Sequence, residues 1–376
     1  MYVNTIILVD SYLPGSASSN RMLCYAKGYS SLGLNTIMLL QCEDDVELPV
    51  INGVNVVRVQ ESKSRSRVIR IIKRLTSMIT AVKQHYKDDE TVIHIWNVPL
   101  FVWFLNKKKY AVFCEVGEIP NYAESGSLLY HIKEKLRMMG PRTLKGLIVQ
   151  TNTLADYYLR HGVKNIVQSN MFVDVSRFNN LKKNANVDAY IAYCGTVSKH
   201  KDGVDDLIKA FKIVHDRYNN FKLMIIGGFT SAYQDKEELE NLVKELSLEE
   251  SVVFTGMVHP SAMPQLLLDA AILALARPDN IQAKYGFPTK VGEYLCTGNP
   301  LVLTKVGELP MFLEDMKNCV FAKADDYKDF ADKLIWTIEH RERATLLAEE
   351  GKKLVNSVFS ADTQCEKLLN FFESLN

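Results

Sequence analysis

The chain reads as an α/β protein of two tandem Rossmann-like domains, with parallel sheets facing a cleft. Three observations carry that reading. Short apolar runs alternate with longer helical patterns almost from end to end. The alternation pauses once, at a polar stretch near the middle, and then restarts. The length, 376 residues, suits two domains at about 150 residues each.

Thr5–Val9 is a compact apolar run and the first expected strand, followed by the loop Ser11–Ser19 and a helix through about Leu32. Asn35–Leu40, Val54–Val59, Thr91–Trp96, Tyr110–Glu115, Gly146–Gln150 and Asn165–Gln168 are the strands expected next. Continuous apolar runs of this length suit parallel strands covered on both faces, and parallel strands need helical crossovers between them. Asn179–Asp188, NNLKKNANVD, has no apolar periodicity and is the expected linker. The second series opens with a strand at Tyr190–Cys194 and a helix at Val204–Tyr218, where Leu207, Ile208, Phe211 and Val214 fall at helical spacing. Strands at Phe221–Ile226, Val252–Thr255, Ala271–Leu275 and Leu301–Thr304 follow, with a helix from about Thr289 before the last. The expected domains are thus 1–180 and 188–355. Within the final helical stretch, Asp326–Leu375, residues 356–376 are expected to pack back on the first domain.

Lys and Arg number 45 against 44 Asp and Glu, so no global positive field points to nucleic acid. The seven cysteines are scattered and show no C-x-x-C spacing. That argues against a zinc site or disulfide framework and for reduced thiols in the cytoplasm. MYVNTIILVDSYLPG lacks a basic leader and reads as a first strand, and no run of about 18 apolar residues suggests a membrane span.

Ligands of such sheets bind beyond the carboxyl ends of the strands, so residues just after strands are the informative ones. Arg277–Pro300, RPDNIQAKYGFPTKVGEYLCTGNP, follows an apolar strand and leads into a helix carrying Glu293. Backbone amides at a helix start are unpaired and partially positive, and can hold a phosphate. Gly286 permits close backbone approach, Thr289 adds a hydroxyl, and Glu293 can accept two hydrogen bonds from a ribose diol. An ordinary strand–loop–helix with a capping threonine shares these features.

GFPTKVGEYLCTGNPLVLTKVGELP resembles the nucleotide-sugar signature of family 4 retaining glycosyltransferases, which have the GT-B fold. Tyr193–Gly228 and Val252–Ala276 are similar to two further segments of the same family, in the same order. The resemblance implies a retaining, metal-independent hexosyltransferase that uses no cofactor, with a nucleotide-diphosphate sugar as donor substrate. Its acceptor would be a glycan or a lipid-linked glycan of surface polysaccharide synthesis. It implies Lys201 as the diphosphate lysine, and diphosphate amides at Gly286, Phe287 and Thr289, with Gly15 facing them across the cleft. Glu293 would bind the ribose, and the backbone around Gly256, Met257 and Val258 the base. Gly195 and Thr196 follow the first strand of the second domain, at the family's donor loop.

Two departures stand out. Tyr285 occupies the place of the signature's first Glu, so Gln282 or Asp279 is the candidate for the donor-sugar contact. Thr196 stands where the family has Arg, leaving Arg277 or Lys290 as the second cation; Lys290 reads equally as a solvated helix residue. In the first domain, Glu118 in EVGEIPNY is the candidate facing donor or acceptor. Alternatively, Glu115 or Glu118 caps a helix or pairs with Arg21 or a lysine. His94, within a strand, reads as a core histidine, and neither Asp44-Asp45 nor Asp205-Asp206 makes a convincing metal site.

One stretch is locally basic. Lys63–Lys83 contains seven Lys and Arg and no acid, with Val68, Ile71, Ile72, Leu75, Ile79 and Val82 at helical spacing. It reads as an amphipathic helix that lies on an anionic membrane surface, as a crossover helix packed on the sheet, or as both. The expected location is cytoplasmic and peripheral on the inner face of the membrane.

Overall fold

The computed structural model describes residues 2–61, 66–87, 90–98, 100–105, 109–119, 128–229 and 235–376. The chain divides into two compact units: residues 1–172 with 360–376, and residues 173–359.

The first unit holds strands β1 (Asn4–Val9), β2 (Asn35–Cys42), β3 (Val54–Gln60), β4 (Thr91–Trp96), β5 (Ala111–Val116), β6 (Gly146–Val149) and β7 (Ile166–Gln168). They form one sheet in the order β3-β2-β1-β4-β5-β6-β7, every neighbouring pair parallel. Ile6, Ile7, Leu8 and Val9 are all buried, as a strand covered on both faces requires. The C-terminal helix Ala361–Ser374 packs on the helix Ala17–Ser31. Gly28 makes that contact close: a methyl there would fall 2.4 Å from Cys365 Sγ. Phe372 lies 4.2 Å from Phe113, centroid to centroid, and seals the apolar layer over β5.

The second unit holds β8 (Tyr190–Cys194), β9 (Lys222–Ile226), β10 (Val252–Gly256), β11 (Ile272–Leu275), β12 (Leu301–Thr304) and β13 (Val320–Ala322). Their order is β10-β9-β8-β11-β12-β13, again parallel throughout. Strand order reverses at β8/β11 here and at β1/β4 in the first unit. Such switch points leave a crevice at the carboxyl edge of a doubly wound sheet.

Three differences from the sequence reading have physical causes. The polar stretch 179–188 belongs to the second unit. Lys183 Nζ donates to Ala270 O (2.7 Å) and Asn299 Oδ1 (3.1 Å), and Asn184 bonds Asp269, so polarity here marks surface docking. The strand β13 is three residues long, too short to show a period. The final stretch breaks into Tyr327–Glu339, Arg341–Lys353 and Ala361–Ser374, of which the last joins the first unit.

The basic helix spans Arg67–His85; Lys63 and Arg65 lie outside the described residues. Its second half packs as a crossover, with Met78, Ala81 and Val82 buried. Its first half does not: Val68 (65% exposed), Ile69, Ile71 and Ile72 face solvent. Among the described residues no helix is long and apolar enough to cross a membrane.

Candidate functional site

The second unit's switch point is built around glycines. Beyond β8, Gly195 adopts φ +139°, and beyond β9, Gly227 adopts φ +137°. A methyl on Gly227 would fall 1.9 Å from Gly195 O, and one on Gly195 would fall 2.4 Å from Lys290 Nζ. The two strand ends and a lysine ammonium therefore share space that a Cβ would fill.

Lys290 is not a solvated helix residue. Its Nζ pairs with Asp202 Oδ2, lies 3.1 Å from Tyr193 Oη and sits 4.3 Å from the centre of the Tyr193 ring. Tyr193 Oη is 2.7 Å from Asp202 Oδ2 and 2.6 Å from Thr196 O, two acceptors for its one proton. Asp202 is 3% exposed. Burial raises its pKa, but the Lys290 and Arg277 charges and hydrogen bonds from Lys290 and Tyr193 outweigh burial and hold it below the usual carboxylate range. Asp202 therefore stays ionised at neutral pH. The sequence reading missed Asp202 and Tyr193; a K-D-G turn just past a strand was the available signal.

Lys201 precedes Asp202 in the short turn Lys199–Asp202, capped by Ser198, whose Oγ accepts from Lys201 N at 3.2 Å. Gly203 follows at φ +65°, and a methyl on it would fall 2.0 Å from Ala276 O. The turn after β8 is thereby pressed onto the end of β11. Asn280 Nδ2 donates to His200 O (2.6 Å) and joins the same two loops. Arg277, 2% exposed, donates to Gln282 O at 2.8 Å. The guanidinium is thus placed inside this turn, next to the Asp202 charge.

Tyr285, in place of the signature Glu, is 1% exposed, so its side chain is part of the packed interior. Phe287 likewise points its ring into a cluster with Phe312 and Phe359. Beside the backbone of the 286–289 loop, the half-buried Thr289 side chain is what remains for a ligand. Gly286 N donates to Gln282 O (3.0 Å), which takes it out of the expected set of diphosphate amides. The amides of Phe287 and Thr289 have no acceptor among the described residues, as expected where the helix Lys290–Thr297 begins. One turn on, Glu293 pairs through Oε1 with Arg177, whose Nη2 also donates to Pro260 O at 3.1 Å. Arg177 was missed, and nothing local in its sequence marks it.

At the base-binding candidate, Gly256 ends β10 in a bulge at φ +66°. Met257 is 79% exposed and lies over Gly228, where a methyl would come within 2.9 Å of its Sδ. Val258 is half-buried.

In the first unit, Gly15 lies exposed at φ +78° just before the helix Ala17–Ser31. Glu115 pairs with Arg21, one of the alternatives read from sequence, and both are buried. His94 is a core histidine with Nδ1 3.1 Å from Tyr29 Oη. Glu118 is exposed and lines a cavity of about 370 Å³ beyond the ends of β4 and β5. Asp205 and Asp206 both pair with Lys209, and among the described residues no cluster of three or more His, Cys, Asp or Glu could hold a metal.

Residues 188–340 match the family model described as glycosyl transferases group 1. The poly(ribitol-phosphate) α-N-acetylglucosaminyltransferase of Staphylococcus aureus (strain COL) is 23% identical over 272 residues, covering 72% of this chain and 51% of that protein. The mannosylfructose-phosphate synthase of Agrobacterium fabrum is 25% identical over 46% of this chain and 37% of its own length. The chain thus matches about half or less of these curated relatives. Among solved structures, sucrose-phosphate synthase from Thermosynechococcus elongatus aligns with a TM-score of 0.76 at 14% identity, covering 99% of both chains. HepE of Anabaena, solved with UDP and glucose, aligns at 0.75 and 14%, covering 99% of this chain and all of its own. The two Rossmann-like domains are those of the GT-B architecture.

Proposed function

We propose that the chain is a retaining, metal-independent glycosyltransferase. It moves a hexose-type sugar from a nucleoside-diphosphate sugar to a glycan or lipid-linked acceptor in surface polysaccharide synthesis. The observation that carries this reading is the charge arrangement at the second unit's switch point. Lys290 pairs with buried Asp202 against Gly195, and the Arg277 charge acts on the same carboxylate. Cationic side chains held at this point suit the roughly two negative charges of a diphosphate leaving group. Glu293, already balanced by Arg177, adds none and keeps a carboxylate oxygen for a ribose hydroxyl. The match of 188–340 to glycosyl transferases supports the same assignment.

In this mechanism the amides of Phe287 and Thr289 and the Lys201 ammonium stabilise the departing diphosphate. Asp202 fixes the Lys290 ammonium beside Gly195, so its orientation is set before the donor arrives. The acceptor hydroxyl attacks from the leaving-group face and gives its proton to a leaving phosphate oxygen, which preserves the anomeric configuration.

A panel of nucleoside-diphosphate sugars tests the donor site. A ligand at 100 times its Kd raises stability by about 2.7 kcal/mol, and this gain should fade in Glu293→Ala. Lys201→Ala should keep binding and lose turnover. No stabilisation by any donor refutes the reading. Product anomeric configuration by NMR and activity in chelator check retention and metal independence. The buried Tyr285 favours a second reading, a non-catalytic nucleotide-sugar-binding subunit, which donor binding without turnover would establish.

We infer further that the protein is cytoplasmic and peripheral on the inner membrane face. Exposed Val68, Ile69, Ile71 and Ile72, interleaved with Arg70 and Lys73, would enter the anionic interface. The protein should co-sediment with phosphatidylglycerol vesicles and not with phosphatidylcholine ones, and the double substitution Ile71→Glu, Ile72→Glu should abolish it. Equal sedimentation with both vesicles removes the membrane role.

A further inference from the structure

One side chain of the second unit joins two separate segments, both assigned above to the nucleoside. Arg177 Nη1 pairs with Glu293 Oε1, and its Nη2 donates to Pro260 O at 3.1 Å. We propose that Arg177 is the positioning residue through which the donor site selects ribose over deoxyribose, so that the donor is a ribonucleoside-diphosphate sugar. The inference rests on the transferase reading; the coupling of the segments rests on the geometry of Arg177 itself.

Place comes first. Arg177 lies in the 3-10 turn Val175–Phe178, opened by Asp174, whose Oδ1 accepts from Ser176 N at 3.1 Å. The turn packs on the helices Met263–Asp269 and Lys290–Thr297. The first helix follows the loop that leaves β10 at Gly256, and the second carries Glu293 in its first turn. The guanidinium thus stands between the base-binding candidate and the ribose-binding one. Its side chain is 22% exposed and that of Glu293 18%, so the pair is partly desolvated.

The chemistry explains why an arginine suits this place. A guanidinium is planar, with its donors in a rigid fork. Holding Nη2 on a main-chain carbonyl therefore sets the direction of Nη1. A glutamate left to itself on a helix surface samples several rotamers and loses that freedom when a ligand binds. Arg177 removes this loss beforehand by holding Oε1, while a carboxylate keeps lone pairs for further donors. A ribose diol supplies such donors. A 2′-deoxyribose supplies one fewer and leaves a partly buried acceptor without its partner. Selectivity then depends on Arg177 without any contact between it and the nucleotide.

A purely structural pair, stapling a turn to a helix, would show the same contacts. The two roles differ in what their loss does. Losing a staple weakens the site for every nucleotide alike, whereas losing a positioning residue weakens what Glu293 reads.

Calorimetric titration of the intact chain with UDP, GDP, ADP and CDP, each beside its 2′-deoxy counterpart, separates them. In the wild type at least one ribonucleotide should bind, tighter than its 2′-deoxy form by ~10-fold. In Arg177→Met, which keeps the aliphatic stem, that ratio should fall to about two-fold, chiefly through weaker ribonucleotide binding. Arg177→Lys, whose single ammonium has no fork to hold both acceptors, should give an intermediate ratio. Melting cooperativity shows which variants are folded; if Arg177→Met is not, Arg177→Lys carries the comparison. Three results overturn the proposal: no ribose preference in the wild type, an unchanged ratio in the folded variants, or equal weakening of both nucleotide forms. The last makes Arg177 a structural staple, and all three leave the transferase reading standing, because a nucleotide still binds. Absence of binding by any nucleotide overturns both.

Discussion

In the first unit Arg21 and Glu115 form an ion pair with side chains 3% and 0% exposed, at the carboxyl end of β5. In the second, Lys290 and Asp202 pair just beyond the carboxyl end of β8, at 13% and 3%. Their surroundings differ more than these figures do. Arg21 spends its remaining donors on Asn170 O, Ser169 and Tyr25, and its guanidinium lies 4.4 Å from the Phe172 ring centre. Glu115 faces His94 Nε2 at 3.6 Å within the core. No side of that pair is left for a ligand. Lys290, by contrast, keeps 13% of its side chain exposed and stands so close to Gly195 that a Cβ there would meet its ammonium. On the proposed function the first pair holds a fold together, and the second holds a charge for the donor.

The largest effect that can break this comparison is on stability. Arg21→Ala leaves the Glu115 carboxylate buried without its counter-charge, a loss of about 3–5 kcal/mol. Lys290→Ala leaves Asp202 with the Tyr193 hydroxyl and the Arg277 charge, and should cost less, about 1–3 kcal/mol. Donor turnover should rank the other way, with Lys290→Ala inactive while folded. Chemical denaturation of both variants beside a donor assay decides it. Equal stability losses would mean that the second pair is as structural as the first.

Much of this was legible in the chain itself, for reasons that particular residues show. Parallel strands buried on both faces read as unbroken apolar runs, so TIILV, VIHIW and YIAYC announce β1, β4 and β8 without any partner in view. The 286–289 loop and Glu293 were legible because they are contiguous, and a helix start is a local event. Lys290 and Asp202 are 88 positions apart, and Arg177 and Glu293 are 116 apart. Nothing local to any of these four residues specifies the other, and only the folded sheet brings them together. The helix Arg67–His85 shows a third case. Its period gives the apolar stripe, but burial of Met78 and exposure of Ile72 depend on what lies opposite.

The smaller effect sharpens the comparison through pH. Asp202 is held below its ordinary value of 3.8, against burial, by Lys290 and Arg277. The unfolded chain then binds more protons than the native one between the two pKa values, so stability falls as pH falls through that window. The contribution is complete at neutral pH, begins to fade near 3.8 and is lost below the folded value. Glu115 is also lowered, with burial opposed by Arg21 and His94, so the wild-type acid limb combines both units. Asp202→Asn removes one share of it. Denaturation midpoints measured from neutral pH down to about pH 3 should show a wide gap between wild type and variant that closes toward acid. Parallel curves would mean that Asp202 titrates as an ordinary carboxylate, and that the charge beside Gly195 is not fixed by the fold.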